Sequence, residues 1–303
     1  MLRAAFLFLS RRRLLRRWME TSPVAAGLTR RFIAGQRLED VIAVARRLQQ
    51  ENILSTLDHL GENVTSADEA AAARVCIEEA LDAIAAAGLP ATVSIKLTQF
   101  GLDISDSLCR SNVEAVLLKA RSIGSRVEID MESSEYVTRT LQIVEDLHSA
   151  HNGLRAVLQA YLYRTAGDLR RLNALRVPVR LCKGAYNEPP SVAWPRKHEV
   201  NSSYARLARI LLDEGEDPAF ATHDPRMIDL ILEHAARNSR PTSSFEFQML
   251  YGVRRDLQRM LVSHGYRLRL YVPYGDAWYP YFMRRLAERP ANAIFILKNL
   301  FRH

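Results

Sequence analysis

Apolar residues recur at helical spacing from Leu38 to Leu60, with Val41, Ile42, Ala45 and Leu48 on one face. Ser66 followed by Glu69 has the form of a capping box and opens an alanine-rich helix that runs to Ala87. Gly88 and Pro90 end it, one by allowing a left-handed cap and the other by refusing a helical hydrogen bond. Beyond this point the pattern changes to short apolar runs of strand length. "ATVSIKL", residues 91–97, reads as the first clear strand. Arg126–Met131, Leu154–Gln159, Val179–Cys182, Ala219–Thr222, Ser243–Phe247, Arg267–Val272 and Ala293–Leu297 follow. Segments of helical period separate them, among them "SNVEAVLLKARSI", "EYVTRTLQIVEDLHSA" and "PRMIDLILEHAARN".

Eight strand–helix units, with the two N-terminal helices outside the count, predict an α/β fold of the (β/α)8 TIM-barrel kind. A doubly wound open sheet is the competing architecture, but no G-x-G-x-x-G turn follows any strand. No linker rich in Gly, Ser or Pro divides the chain, so residues 38–303 read as one barrel domain that includes the N-terminal helices.

Charge sets the first 37 residues apart. The 303-residue chain carries a formal net charge of +8, and nine arginines against the single acid Glu20 before residue 38 account for all of it. The body is neutral, which argues against nucleic-acid binding through a basic face. "MLRAAFLFLSRRRLLRRW" is too short in its apolar part to span a bilayer. It reads as a basic arm that either lies on an anionic membrane surface or packs against the body. Cys76, Cys109 and Cys182 are scattered and odd in number, as expected of reduced thiols in a cytoplasmic protein.

In a barrel of this kind chemistry gathers at the C-terminal ends of the strands. The predicted exits carry Lys96, Asp130 with Glu132, Gln159 with Tyr161, and Arg180 with Lys183, Gly184 and Tyr186. They continue with Thr222, His223 and Asp224, then Glu246, Gln248 and Leu250, then Tyr271. Each has a plain structural reading: a snorkelling lysine, a helix-capping aspartate, a turn glycine. Asp130 and Glu132 share a strand face, but no second cluster has metal-ligand spacing, and no metal is expected. No G-x-S-x-G elbow is present, and Cys182 falls inside a strand. Gln159, Arg180, Lys183 and His223 at neighbouring exits point to a large, partly anionic cofactor. "YFMRR", residues 281–285, places Arg284 and Arg285 either on a solvated helix face or in a fork that grips an anion.

Eight segments resemble the proline dehydrogenase family in its single-function bacterial form: "SIKLTQFGLDIS", "RVEIDMESSEYV", "VLQAYLYRT", "VRLCKGAYNEP", "FATHDPRMI", "FEFQMLYGVRRDL", "LYVPYG" and "YFMRRL". They stand in the family's order and span about Leu38 to Leu300. The resemblance implies a distorted (β/α)8 barrel holding FAD non-covalently at the strand exits. The implied reaction is oxidation of L-proline to 1-pyrroline-5-carboxylate, with electrons passed to quinone at the membrane. It implies that Arg284 and Arg285, helped by Lys96, pair with the proline carboxylate, that Asp130 is the nearby acid, and that Tyr186, Leu250, Tyr271 and Tyr281 wall the ring. Arg180 and Gln159 are implied to lie against the flavin, Lys183, Gly184 and His223 on the phosphate side, and Thr222 and Glu246 as further FAD contacts. The next oxidation would then belong to a separate 1-pyrroline-5-carboxylate dehydrogenase. Two alternatives remain: a flavin enzyme for a related cyclic or N-alkyl amino acid, and a barrel that binds an amino acid without turning it over. The stretch "NEPPSVAWPRKHEV" departs from the pattern of the fused relatives.

Overall fold

The computed structural model describes residue 29 and residues 31–288, with backbone only for 284–288. Residues 1–28 and 30 of the basic arm 1–37, and the predicted strand Ala293–Leu297, lie outside the described residues.

Helix α1 (Leu38–Gln50) comes first, with Glu39 and Asp40 in its first turn and Val41, Val44, Ala45 and Leu48 buried. Asp40 accepts from the Arg37 backbone N–H at 3.1 Å, and both acids suit the positive end of the helix dipole. The chain reverses at Asn52, in left-handed conformation at φ 57°, and enters strand β1 (Leu54–His59). This corrects the expectation of one helix from Leu38 to Leu60. The apolar residues 53, 54, 57 and 60 fit a helical face as well as they fit a strand. Pairing decides between them: β1 is hydrogen-bonded on both sides, to β2 (Ala91–Ile95) and to β8 (Arg267–Tyr274).

The remaining elements are α2 (Ala67–Ala86), α3 (Asp106–Ser122), β3 (Val127–Ile129), α4 (Val137–His151) and β4 (Leu154–Gln159). Then come α5 (Thr165–Ala174), β5 (Val179–Cys182), α6 (Lys197–Glu214), β6 (Ala219–Ala221) and α7 (Pro225–Arg237). The last are β7 (Glu246–Leu250), α8 (Arg255–Ser263), β8 and α9 (Trp278–Glu288). At the start of α2, Ser66 accepts from the Glu69 N–H at 3.2 Å, while the Glu69 carboxylate reaches back to the Thr65 N–H at 2.7 Å. Gly88 closes that helix at φ +60°.

The eight strands form a closed parallel barrel in chain order, β1 to β8. The predicted count was right but its phase was off by one. The barrel begins one strand earlier, α2 is a crossover helix within the count, and the β8–β1 pairing completes the ring without residues 293–297. β7 also starts later than predicted, because Thr242–Ser244 form a 3-10 turn.

Alternate strand residues take opposite fates. Val93, Ile95, Val127, Ile129, Leu181, Phe247, Leu268 and Leu270 join the apolar core shared with the helices. Their neighbours Thr92, Ser94, Glu128, Arg155, Arg180, Glu246, Gln248 and Arg269 are also buried, but contact one another across the barrel. Branched apolar layers usually fill such barrels; here a column of charge does. At its lower end Arg155 donates to Glu246 Oε1 at 2.5 Å and to Asp217 Oδ2 at 2.7 Å. Arg269 donates to Glu246 Oε1 at 2.9 Å, and Arg267 to Glu246 Oε2 at 3.2 Å. Burial would raise the Glu246 carboxyl, but Arg269 and Arg155, helped by Gln248, outweigh it and hold the group well below the usual range.

Candidate active site

The upper end of the column is built from side chains on or just after five strands, β1, β2, β3, β5 and β8. Lys96 follows β2 and is the extended residue from which the 3-10 turn Leu97–Phe100 springs. Its ammonium donates to Asp58 Oδ1 at 2.9 Å and to the Tyr271 hydroxyl at 3.4 Å, and lies 3.7 Å from Asp130 Oδ2. Tyr271, on β8, donates its hydroxyl to Asp130 Oδ2 at 2.7 Å. Asp130 Oδ1 accepts from Ser94 at 3.0 Å and from the Arg180 guanidinium. Arg180, on β5, lies 3.0 Å from Glu128 Oε2, donates to Gln248 Oε1 at 3.1 Å, and has its Cζ 5.5 Å from the centre of the Tyr271 ring. Lys96, Asp130, Arg180 and Tyr271, named separately from the sequence, therefore form one bonded cluster.

Burial works against the charges on Lys96 and Arg180, but neighbouring carboxylates outweigh it and raise both pKa values: Asp58 and Asp130 for Lys96, Asp130 and Glu128 for Arg180. Both stay charged at any ordinary pH. Burial pushes the Tyr271 phenol well up, so it is a neutral donor. It also pushes the Cys182 thiol up to about 11, which leaves little thiolate near neutrality.

A second group lies at the β5 and β6 exits. Lys183 donates to Asn201 Oδ1 of α6 at 2.6 Å and to Asp224 Oδ2 at 2.8 Å. Asp224 is the N-cap of α7 and also accepts from the Arg226 N–H. Thr222 Oγ1 accepts from the Asp224 N–H at 3.1 Å, and His223 Nε2 accepts from the Leu250 N–H at 2.9 Å. That last bond requires the tautomer with its proton on Nδ1. Gly184, at φ +111°, lets the chain pass the Tyr161 ring, which a β-carbon would approach to 2.3 Å. Gln159 is buried and donates to the Glu132 carbonyl at 2.9 Å.

Tyr186 is half-buried in the loop after β5, Leu250 ends β7, and Tyr281 is buried on α9. Helix α9 docks through Phe282, whose ring centre lies 6.1 Å from those of Phe32 and Trp278. Arg284 and Arg285 follow Tyr281 by three and four residues on α9; their side chains lie outside the described structure.

Glu246 needs correction. The expected strand Ser243–Phe247 put it at an exit, but it opens β7 at the opposite end, fully buried and spent on Arg155, Arg267 and Arg269. It supports the barrel interior and does not face a cofactor at the mouth. Asp58 was missed because its segment read as helix. The signal was present: "ILSTLDHL" places a single acid two residues after Thr56 in a short apolar run. Glu128 was visible as the partner of Asp130 at period two in "RVEID".

Fold and site together define a (β/α)8-barrel protein whose mouth is lined by a buried lysine–aspartate–arginine–tyrosine cluster, an arrangement suited to a small ionised substrate. The sequence profile described as "Proline dehydrogenase" matches residues 41–298. Proline dehydrogenase 1 of Bacillus subtilis (strain 168) is 40% identical over 302 residues, covering 100% of both chains. The proline dehydrogenase of Deinococcus radiodurans is 39% identical over 282 residues, 91% of this chain and 90% of that one. Among solved structures, proline utilization A (PutA) from Bdellovibrio bacteriovorus inactivated by N-propargylglycine superposes with a TM-score of 0.83 at 26% identity, over 88% of this chain and 33% of that one. This chain belongs to the proline dehydrogenase family, in its single-function bacterial form, and is an oxidoreductase.

Proposed function

We propose that this protein oxidises L-proline to 1-pyrroline-5-carboxylate with bound FAD, passing the electrons to quinone. The observation that carries this reading is the Lys96–Asp130–Tyr271–Arg180 cluster: a fixed cation for a carboxylate, beside an aromatic face, next to a second buried cation. FAD supplies a two-electron acceptor for hydride from C5 of the ring. The cation pattern fits such a cofactor: Arg180, planar and buried, and Lys183, beside the N-terminus of α7, leave the same strand three residues apart. Arg180 and Gln159 would hold the ring system, with Lys183, Gly184, Thr222 and His223 toward the phosphates.

On the substrate side, Lys96 with Arg284 and Arg285 would hold the carboxylate, and Asp130 would offset part of their charge. Tyr186, Leu250, Tyr271 and Tyr281 would close the ring slot against water. The substrate amine must be neutral when the C=N bond forms, so its proton passes to solvent or to Asp130 before or during the step.

The test is spectroscopic. Purified protein should be yellow, and anaerobic L-proline should bleach the flavin absorbance with formation of 1-pyrroline-5-carboxylate. Protein that takes up no FAD, or whose flavin L-proline leaves oxidised, would refute the reading.

We further propose that residues 1–37, as a basic arm, bring the 38–303 barrel to the inner face of the cytoplasmic membrane, where quinone is available. Among the described residues no helix is long and apolar enough to cross a membrane. Sedimentation with anionic liposomes should recover the full chain and lose a form beginning at Leu38; equal recovery of the two rules the arm out. A separate 1-pyrroline-5-carboxylate dehydrogenase would consume the product.

A further inference from the structure

The β1 strand brings a group to the site that none of the assigned roles uses. Asp58 is 1% exposed, and only one of its oxygens is occupied: Oδ1 accepts from Lys96 at 2.9 Å. Oδ2 is buried without a hydrogen bond, because the nearby Tyr271 hydroxyl is spent on Asp130 at 2.7 Å. A carboxylate kept this dry is costly unless something depends on it. What depends on it is Lys96. The Lys96 side chain is 11% exposed, and its other carboxylate, Asp130, stands farther off at 3.7 Å and is shared with Arg180. Asp58 is thus the counter-ion that Lys96 does not share with another cation in the cluster.

We propose that Asp58 is a positioning residue of the substrate site: it anchors the Lys96 ammonium and supplies the negative charge that burial demands, so that Lys96 meets the substrate carboxylate as a fixed cation. This rests on the reading of Lys96 as part of a carboxylate site. An isolated buried lysine can lose its proton several pH units below the free amine. Burial opposes the charge on Lys96, and Asp58 is the largest of the influences that reverse this, ahead of Asp130 and the more distant Glu62.

Among the other groups around the pair, burial raises the Glu132 carboxyl, against its hydrogen bonds from Thr98 and the pull of Lys96. Arg180 keeps its charge, with Glu128 beneath it. Burial lowers the pKa of His59, next to Asp58 on β1, and pushes those of Tyr271 and Cys182 up, the latter to about 11. Burial likewise raises the Asp58 carboxyl, against the pull of Lys96. Arg284 and Arg285 hold their charge as arginines do.

The experiment measures binding of cyclopentanecarboxylate to the FAD-loaded full chain by calorimetry, from about pH 6 to about pH 10. This probe keeps the ring and the carboxylate but has no amine, so any pH dependence belongs to the protein. Wild-type affinity should be flat across the range. In Asp58→Asn the amide oxygen can still accept from Lys96, but the charge is gone. Its affinity should fall at least tenfold between pH 7 and pH 10, about tenfold per unit once Lys96 loses its proton. Adding Lys96→Arg, which does not titrate there, should flatten the profile again. Parallel wild-type and Asp58→Asn profiles, even with a uniform loss of affinity, would overturn the proposal, since that is what a merely structural role predicts.

If Asp58→Asn yields no folded holoprotein, Lys96→Met decides. It should weaken the probe at least tenfold at pH 7, and unchanged affinity would leave Asp58 nothing to act through. Wild-type protein that neither binds the probe nor is bleached by L-proline would sink the functional reading itself. A wild type that does both, with an unaltered Asp58→Asn profile, would sink only the role of Asp58.

Discussion

Replacing Glu246 by Gln removes one charge from the floor of the barrel and changes little else in shape. Its Oε1 accepts from Arg155, Arg269 and Gln248 at 2.5, 2.9 and 2.7 Å. Its Oε2 accepts from Arg267 at 3.2 Å and from Arg269 at 3.3 Å. A glutamine can keep one of these faces as an acceptor; on the other its NH2 opposes guanidinium donors. Breaking a buried ion pair from one side costs about 3–5 kcal/mol. Arg155 retains Asp217 at 2.7 Å, whereas Arg269 keeps the Ser55 carbonyl at 2.9 Å and, as a carboxylate, Glu128 at 3.7 Å, so one guanidinium and not two loses its close counter-ion. The expected loss is therefore near the lower bound, about 3 kcal/mol out of a total of about 5–15. At roughly 2–4 °C per kcal/mol this is a melting point about 6–12 °C lower. Urea unfolding at fixed FAD concentration is the assay, because bound cofactor shifts apparent stability by itself. The pH dependence supplies a second check. The folded carboxyl lies below its unfolded value, so its contribution is complete above the ordinary carboxylate pKa and disappears as pH falls through the folded value. The gap between wild type and Glu246→Gln should be constant from about pH 5 upward and close in strong acid. A loss under about 1 kcal/mol, or a gap that grows on acidification, would refute the assignment of Glu246 as the charge that holds the floor together.

Other perturbations test the mouth. Tyr271→Phe keeps the ring under Arg180 but takes the hydroxyl from Asp130 Oδ2, so kcat/KM for L-proline should fall by about 1–3 kcal/mol of transition-state stabilisation with FAD still bound. Arg284→Lys and Arg285→Lys keep the charge and lose the planar fork; each should weaken cyclopentanecarboxylate, and Met at either position should cost about 2–5 kcal/mol by calorimetry. Gly184→Ala places a β-carbon 2.3 Å from the Tyr161 ring at φ +111°, and should lower both the melting point and FAD retention on gel filtration. In acid, Asp217, which its neighbours Arg155, Arg126 and Arg267 hold below its ordinary value despite burial, should unload together with Glu246, so stability should fall cooperatively below about pH 4.

The sequence disclosed the class of fold and most of the exit residues, because strand exits in a barrel are polar interruptions of apolar runs and are visible one at a time. Leu154–Gln159 and Val179–Cys182 were legible to the residue, since Gly, Pro or charge bounds each run. β1 was not. Its serine, threonine and aspartate break the apolar alternation, and what makes the segment a strand is hydrogen bonding to β2 and to β8, far away in the chain. That miss moved the barrel by one unit and hid Asp58. The start of β7 slipped for a similar reason: its first residue is set by pairing of Glu246 with Ala219 and Arg267, not by local composition.

Arginine or glutamate inside "LRAVLQ", "VRLC", "EFQML" and "RLRLY" was an anomaly in plain view, but no single strand could say which charge met which. The barrel answers that by height. Low in the column, Glu246, Asp217, Arg155, Arg267 and Arg269 pair among themselves in several bonds each, and this end can hold the cylinder closed. Higher up, the same chemistry thins: Glu128 passes its charge to Arg180, Arg180 to Asp130, and Asp130 to Tyr271 and Lys96. At the top a carboxylate oxygen, Asp58 Oδ2, is left dry and unpaired. A buried charge network whose carboxylate oxygens are all bonded at one end, as those of Glu246 and Asp217 are, and not at the other makes the incomplete end the place where an ionised ligand gains most, because the cost of desolvating its partners has already been met by folding. The stability of the floor and the affinity of the mouth are then two ends of one electrostatic column, joined through Glu128 and Arg180.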